Sequence, residues 1–174
     1  MEFLIRLKAW QVLLLILFPA FLSNYDSLQP VIWTLMVYVI YWAWIYAIGI
    51  KMNSFIPANL RPGLTSFKIH SYLLLIFLIT LFAAEFFGQL PDIESPYAMY
   101  FGLGAMTISL YLLFNVWMFS ARMLESVIVG TIVNRSDSLK AFLCFWFFPI
   151  GIWFIQPAVN RAVAKYAANN AQLE

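Results

Sequence analysis

Five apolar segments, separated by short polar loops, constrain the fold of this chain more than any other feature. They cover residues 9–23, 30–50, 70–88, 97–119 and 141–156. Because a helix needs about 20 residues to cross about 30 Å of hydrocarbon, the second, third and fourth segments predict transmembrane helices. Composition agrees, since 64% of the 174 residues are hydrophobic and 10% are charged, against about 25% charged residues in a soluble domain. The sequence predicts an all-α polytopic membrane protein.

The first apolar segment follows Arg6 and Lys8, so it could be the apolar part of a signal peptide. However, Phe21 and Ser23 before Asn24 form a poor small-residue cleavage site. We therefore expect a retained helix, in which the two basic side chains reach back to the lipid headgroups.

Basic residues set the predicted topology. Eight of the ten Lys and Arg residues precede helix one or fall in the loops after helices two and four, whereas the loops after helices one and three contain none. Basic loops stay on the cytoplasmic side of a membrane. The N-terminus is therefore predicted to be cytoplasmic.

The stretch FWFFPIGIWFIQP, residues 145–157, decides the side of the C-terminus. Pro149 removes a helical hydrogen bond and Gly151 loosens the next turn, so a kink is expected at these two residues. The favoured prediction is a kinked fifth crossing that ends at Pro157. The alternative is a re-entrant hairpin with a cytoplasmic tail, because a crossing would place the last two basic residues outside.

A weak internal similarity favours the crossing. At an offset of 72 residues, TSFK (65–68) aligns with DSLK (137–140), as a parallel duplication of a two-helix unit would produce. The fifth segment would then correspond to helix three. The predicted single domain, 1–174, has helices over residues 3–23, 30–50, 70–88, 97–130 and 139–156, followed by an amphipathic tail over 157–174.

Few polar side chains fall inside the predicted helices, and such residues often mark functional sites. Glu85 is expected near the outer edge of the hydrocarbon, where Gln156 could donate a hydrogen bond to it if the fifth segment crosses. Asn115 is expected at the inner boundary. His70, the single histidine, is expected at the cytoplasmic boundary, as an interfacial residue or an acid or base.

Helix four is predicted to begin after the capping residue Ser95 and to end at Gly130. It would be longer than the hydrocarbon is thick, so its C-terminal part should project into the cytoplasm or bend along the membrane surface. Arg122 and Glu125 are spaced to pair on this projection. An apolar stripe beside them predicts either an interfacial face or a docking surface for a partner, and it contains Met123, Leu124, Val127 and Ile128.

Small residues allow close helix contacts in membranes. Two such faces are predicted, for internal packing or for contact between protomers. They consist of Gly102, Ala105 and Ser109 on helix four, and of Ala84 and Gly88 on helix three.

The patterns ARMLES (121–126), FWFFPIGIWFIQPAVNR (145–161) and KMNSFIPANLRPGLTSFK (51–68) resemble those of a group of short, uncharacterised polytopic membrane proteins of bacteria. The resemblance touches most of the chain. It implies a multi-pass protein of the bacterial inner membrane, with no known activity and no site residues to carry over.

The sequence contains no phosphate-binding loop, nucleophile elbow or metalloprotease motif, and no basic patch dense enough for nucleic acid. We therefore predict no catalytic residue, no metal site and no cofactor. The expected function is that of a non-catalytic accessory, assembly or immunity-type subunit, surrounded by membrane lipids, that binds another membrane protein. A small homo-oligomeric channel or transporter protomer is the alternative.

Overall fold

The computed structural model describes residues 2–22, 30–88, 90 and 95–171. Within these ranges the chain forms seven α-helices and no strand, which confirms the all-α prediction. Three of the helices described, α3, α4 and α5, are long and apolar enough to cross a membrane. The helices are α1 (Glu2–Arg6), α2 (Ala9–Leu22), α3 (Pro30–Phe55), α4 (Thr65–Phe86), α5 (Pro96–Val129), α6 (Leu139–Trp146) and α7 (Ile152–Ala171).

The first predicted helix is broken in two. Leu7 and Lys8 separate α1 from α2, and the side chain of Gln11 accepts a hydrogen bond from the Lys8 N–H at 2.8 Å. At the other end, α1 is joined to α3 by an ion pair of 2.8 Å between Glu2 and Lys51. The predicted end of this helix, Ser23, lies outside the described residues.

The two ends of the bundle are defined by α3, α4 and α5. Tyr38 of α3 lies beside Phe82 of α4, and Tyr46 stacks on Phe67, so these two helices are antiparallel. Phe67 and His70 of α4 lie beside Phe119 and Tyr111 of α5, so α5 is antiparallel to α4 and runs in the same direction as α3. We call the half that contains the C-terminal parts of α3 and α5 the inner half, and the opposite half the outer half.

The buried core of α3, α4 and α5 lies in the inner half. It begins at Trp42 on α3, extends to Leu74 on α4 and begins at Leu112 on α5. The outer parts of the three helices, residues 30–41, 75–86 and 97–111, contain no buried residue. The inner half of the bundle therefore holds most of the packing, whereas the outer half presents apolar surface.

Gly49 marks the closest approach of the three long helices. A Cβ atom at this position would lie 2.6 Å from Cζ of Phe67 on α4 and 2.7 Å from Oγ of Ser120 on α5. Ser120 also donates a hydrogen bond to the Ile45 carbonyl at 3.1 Å. A small residue thus brings three helices together, although it is not one of the small residues that the sequence analysis selected.

Helix α5 has the predicted caps. The Ser95 hydroxyl accepts a hydrogen bond from the Tyr97 N–H at 3.3 Å, and Gly130 ends the helix in the left-handed conformation with φ of 85°. Glycine adopts this conformation without the steric cost that a Cβ atom would add. With 34 residues, α5 is about 51 Å long.

The C-terminal segment reverses its direction, whereas the favoured prediction was a single kinked helix and the alternative was a re-entrant hairpin. Tyr41, near the middle of α3, donates a hydrogen bond of 2.6 Å to the Phe145 carbonyl, and its ring lies 4.9 Å from that of Phe148. Beyond the turn at residues 147–151, α7 runs back along α3 until Tyr166 stacks on Phe55 at 4.1 Å. Helices α6 and α7 form a hairpin whose two ends lie in the inner half.

Gly151 explains the tight turn of this hairpin. A Cβ atom here would lie 2.7 Å from the Cα of Cys144 and would collide with the Cys144 carbonyl. The turn also contains the cis peptide bond Phe148–Pro149. The predicted kink at Pro149 and Gly151 is thus a full reversal of the chain.

Two further expectations for this region fail. Pro157 lies inside α7 and does not end a helix; it comes early in the helix, where it forfeits a single backbone hydrogen bond. The tail from residue 157 is therefore continuous with α7, and residues 172–174 lie outside the described ranges. The duplication predicts that α6 and α7 match α4, but α4 is one unbroken helix.

Candidate functional site

Gln156 is the best-connected polar side chain in the described part of the bundle, and it is fully buried. Its oxygen accepts a hydrogen bond from Trp44 Nε1 at 2.8 Å. Its amide group donates to the carbonyls of Ile5 and Leu7 at 2.9 and 2.8 Å. Those carbonyls lie at the break between α1 and α2, where the helix leaves backbone groups without partners. Gln156 therefore joins the hairpin to α3 and to the broken N-terminal helix.

Asn160, one helical turn after Gln156, supports the same junction. Its side chain donates a second hydrogen bond to the Leu7 carbonyl at 3.1 Å. The sequence singled out Gln156 as a polar residue in an apolar run, but nothing in the pattern indicated Trp44, Leu7 or Asn160. Their contacts depend on the hairpin, which returns α7 to the N-terminal helix.

The predicted pairing of Gln156 with Glu85 is wrong. Glu85 lies exposed near the end of α4 in the outer half, whereas Gln156 lies in the inner half beside Trp44. Among the described residues, only Glu2 forms ion pairs, with Arg6 and Lys51.

The structure brings three of the predicted polar positions to one groove, of about 100 Å³, in the inner half. His70 reaches it from α4, and Asn115 and Arg122 reach it from α5. Arg135, in the loop after α5, completes the set, although the sequence analysis did not select it. We call these four residues the basic groove.

Arg122 does not pair with Glu125 as predicted. Its Nε–H donates instead to the Val133 carbonyl at 2.8 Å, and the described residues contain no ion pair between the two side chains. The Val133 N–H in turn donates to Ser126 Oγ at 3.2 Å. These bonds attach the loop after α5 to the helix and fix the guanidinium beside the groove.

The apolar stripe on α5 is only partly exposed. Met123 and Leu124 are 0% and 1% exposed and belong to the core, so the prediction that they form a surface is wrong. Val127 is half-buried and Ile128 is exposed. The end of α5 packs against α7, since Val127 lines the same small cavities as Ala162.

A second groove, with a volume of about 440 Å³, lies between the outer parts of α4 and α5. We call it the outer groove. Two of the predicted small residues, Ala84 and Ala105, line it together with Gly104 and Thr80, and larger apolar side chains form its walls. The lining of the groove thus combines small residues with larger apolar side chains, and no described helix fills it.

The other small residues lie differently. Gly102 faces open space, with no atom within 4 Å of the position of a Cβ, so the predicted internal packing is absent there. Gly88 follows the end of α4 with φ of 63° and serves the turn. The Ser109 hydroxyl donates to the carbonyl of Ala105 in its own helix at 2.8 Å.

The hydroxyl groups nearest the middle of α4 and α5 form hydrogen bonds within their own helices. Thr80 and Thr107 donate to carbonyls four residues earlier, at 2.9 and 2.7 Å. Within the described ranges, no three His, Cys, Asp or Glu side chains form a group that could hold a metal ion. Cys144 is a free thiol, half-buried in α6.

Comparisons with protein-family models, curated proteins and solved structures found no match to this chain. The resemblance to the group of bacterial membrane proteins therefore stays a prediction.

Proposed function

We propose that this protein is a non-catalytic subunit of the bacterial inner membrane and that it binds a transmembrane helix of another membrane protein in the outer groove. The observation that carries the proposal is the contrast between the two halves of the bundle. The inner half is packed, whereas α4 and α5 leave a groove of about 440 Å³ between their outer parts. Helices associate in lipid through close packing at small residues, and the groove offers Ala84, Gly104 and Ala105.

The proposed membrane orientation places the inner half at the cytoplasmic side. Helices α3, α4 and α5 cross, and the broken pair α1 and α2 makes a further crossing. The hairpin of α6 and α7 enters from the cytoplasmic side and returns, so both termini are cytoplasmic. The outer groove then opens toward lipid in the distal part of the bilayer, where a helix of a partner can reach it.

Charge favours a different protein over a second copy in the outer groove. Glu85 is exposed directly beside Ala84, which lines the groove. A two-fold symmetric pair brings the same surface of both copies together. It would therefore bring the exposed Glu85 carboxylates of both copies to the same level of the bilayer, where like charges repel each other. A partner helix with a basic or polar residue at this level avoids that repulsion.

The test is site-specific photo-crosslinking in intact membranes. A photoreactive residue is placed at Gly104, which lines the outer groove, and at Gly102, which is on the same helix but does not line the groove. We expect a covalent adduct with a different membrane protein from position 104 and little or none from position 102. Replacing Ala105 with Leu should fill the groove and reduce the yield of that adduct at least tenfold.

The mass of the adduct decides between the candidates. An adduct with twice the 20.1 kDa mass of this chain would overturn the proposed partner and support the homo-oligomer instead. Equal adducts from positions 102 and 104, or none from either position, would contradict binding in the groove.

A further inference from the structure

The basic groove gathers donors with no carboxylate among them. Arg122 and Arg135 line it beside His70 and Asn115, and no Asp or Glu does. The nearest acidic residue in the loop, Asp137, instead accepts weak bonds of 3.4 Å from the Asn134 N–H and the Ser136 hydroxyl. The groove therefore has an uncompensated positive charge.

Arg122, His70 and Asn115 each have a hydrogen-bonding group that no described residue uses. Arg122 uses its Nε–H for the Val133 carbonyl, which orients the guanidinium while its two terminal nitrogens have no partner in the described part of the chain. His70 Nδ1 lies 2.7 Å from the Ser66 carbonyl, so Nδ1 carries a proton. Nε2 then accepts a hydrogen bond from a ligand when the imidazole is neutral and donates one when the ring is protonated. Asn115 donates one N–H to the Tyr111 carbonyl at 2.8 Å, which leaves its side-chain oxygen and its other N–H for a ligand.

The surroundings of the groove indicate where its ligand comes from. His70 is five residues from the start of α4, so the groove lies near the end of a helix that is long enough to span a membrane. About one helical turn further toward the outer half, Leu73 of α4 and Tyr111 of α5 are exposed by 49% and 61%. A charged cleft at the level of lipid headgroups thus continues into an apolar surface.

We propose that the basic groove binds a phosphate group, with Arg122 and Arg135 as the principal donors. Guanidinium groups match the geometry of phosphate oxygens and hold them through charge-assisted bonds. Asn115 adds a hydrogen bond from its remaining N–H. His70, on α4, contributes through Nε2, which donates to a phosphate oxygen when the imidazole is protonated and accepts from a protonated phosphate oxygen when it is neutral. The phosphate of an anionic lipid would sit in the groove while its acyl chains lie along Leu73 and Tyr111. A free phosphate would use the same donors without the apolar contacts. This site is separate from the outer groove and does not depend on a protein partner.

The experiment measures ligand-induced thermal stabilisation of the full chain in a neutral detergent. The probes are inorganic phosphate, a short-chain phosphatidic acid, and a short-chain neutral diacylglycerol with the same chains. We expect saturable stabilisation by the phosphatidic acid and none by the diacylglycerol. Stabilisation by inorganic phosphate at similar concentrations would also support the site and would identify the ligand as a free phosphate.

Three variants distinguish specific binding in the groove from non-specific attraction by positive charge. Arg135→Gln removes a side chain for which the described residues supply no partner, so it should leave the fold intact and weaken binding about tenfold, as the loss of one charge-assisted bond predicts. Arg122→Gln should weaken binding at least as much. Lys68→Gln is the matched control, because Lys68 carries the same charge on α4 and does not line the groove.

Equal weakening by Lys68→Gln and Arg135→Gln would overturn the proposal, since diffuse attraction would then explain the binding. A saturable effect of the diacylglycerol, or no effect of any phosphate probe, would overturn it as well.

Discussion

At the scale of single residues, Gln156 shows how one polar side chain can hold three elements together. Its side chain is fully buried. It accepts a hydrogen bond from Trp44 of α3 and donates to two carbonyls at the break between α1 and α2. A buried polar group that loses its partner costs about 1–3 kcal/mol. Removing the amide leaves several such groups at once at a fully buried position.

We therefore expect Gln156→Leu, which keeps most of the side-chain volume, to destabilise the protein by about 3 kcal/mol. For a chain of this size the thermal midpoint should fall by roughly 10 °C. The measurement is the loss of the monodisperse peak in size-exclusion chromatography after heating in detergent.

Two further substitutions make this prediction specific. Trp44→Phe removes the partner N–H while keeping an aromatic ring, and its effect should not add to that of Gln156→Leu, because the two residues share one bond. Trp10→Phe, on an exposed face of α2, should leave the midpoint unchanged. Additive effects of the first two variants would show that the bond contributes little.

At the scale of elements, the hairpin of α6 and α7 depends on one close backbone contact. Gly151 lies so near the Cys144 carbonyl that a Cβ atom cannot be accommodated. The obstacle is backbone, which cannot change rotamer to make room. We expect Gly151→Ala to force the two helices apart and to destabilise the protein by about 3 kcal/mol.

The matched control is Gly102→Ala, where a Cβ atom meets no neighbour within 4 Å and where alanine is the better helix former. Thermal midpoints in detergent should fall for Gly151→Ala and stay the same or rise for Gly102→Ala. If both variants kept the wild-type midpoint, the tight turn at Gly151 would not matter for stability.

The elements also show which parts of the fold the sequence could predict. Long apolar runs fix α3, α4 and α5, because length and hydropathy suffice for them. The capping residues Ser95 and Gly130 fix the limits of α5. The break at Leu7 and Lys8 was not predicted, and a reversal of the C-terminal segment was only the alternative prediction, because each feature is stabilised by partners far away in the chain.

The same reason limits what could be predicted of the candidate sites. Composition and spacing marked Gln156, His70, Asn115 and Arg122 as polar residues in apolar surroundings. They could not show that the last three share one groove with Arg135, because that requires the packing of α4 against α5 and the path of the loop. The prediction that the apolar stripe on α5 forms a surface was wrong for a related reason, because Met123 and Leu124 are covered by the rest of the bundle.

At the scale of the whole molecule, the hairpin resolves a conflict in the distribution of charge. A fifth crossing would place Arg161 and Lys165 on the side opposite to the other basic residues. In the structure, α7 returns to the inner half, where Tyr166 stacks on Phe55. All ten Lys and Arg residues then belong to the same half of the bundle. This arrangement satisfies the tendency of basic segments to remain on the cytoplasmic side.

We therefore expect the C-terminus to be cytoplasmic, on the same side as the loop between α3 and α4. Green fluorescent protein fused after Glu174 should fluoresce in cells, and alkaline phosphatase at the same point should be inactive, because each reporter works on one side of the membrane only. Alkaline phosphatase fused after Leu90, beyond the outer end of α4, is the positive control. An active phosphatase after Glu174 would mean that the hairpin opens into a fifth crossing, at the cost of moving Arg161 and Lys165 across the bilayer and of leaving the carbonyl of Leu7 without Gln156 and Asn160.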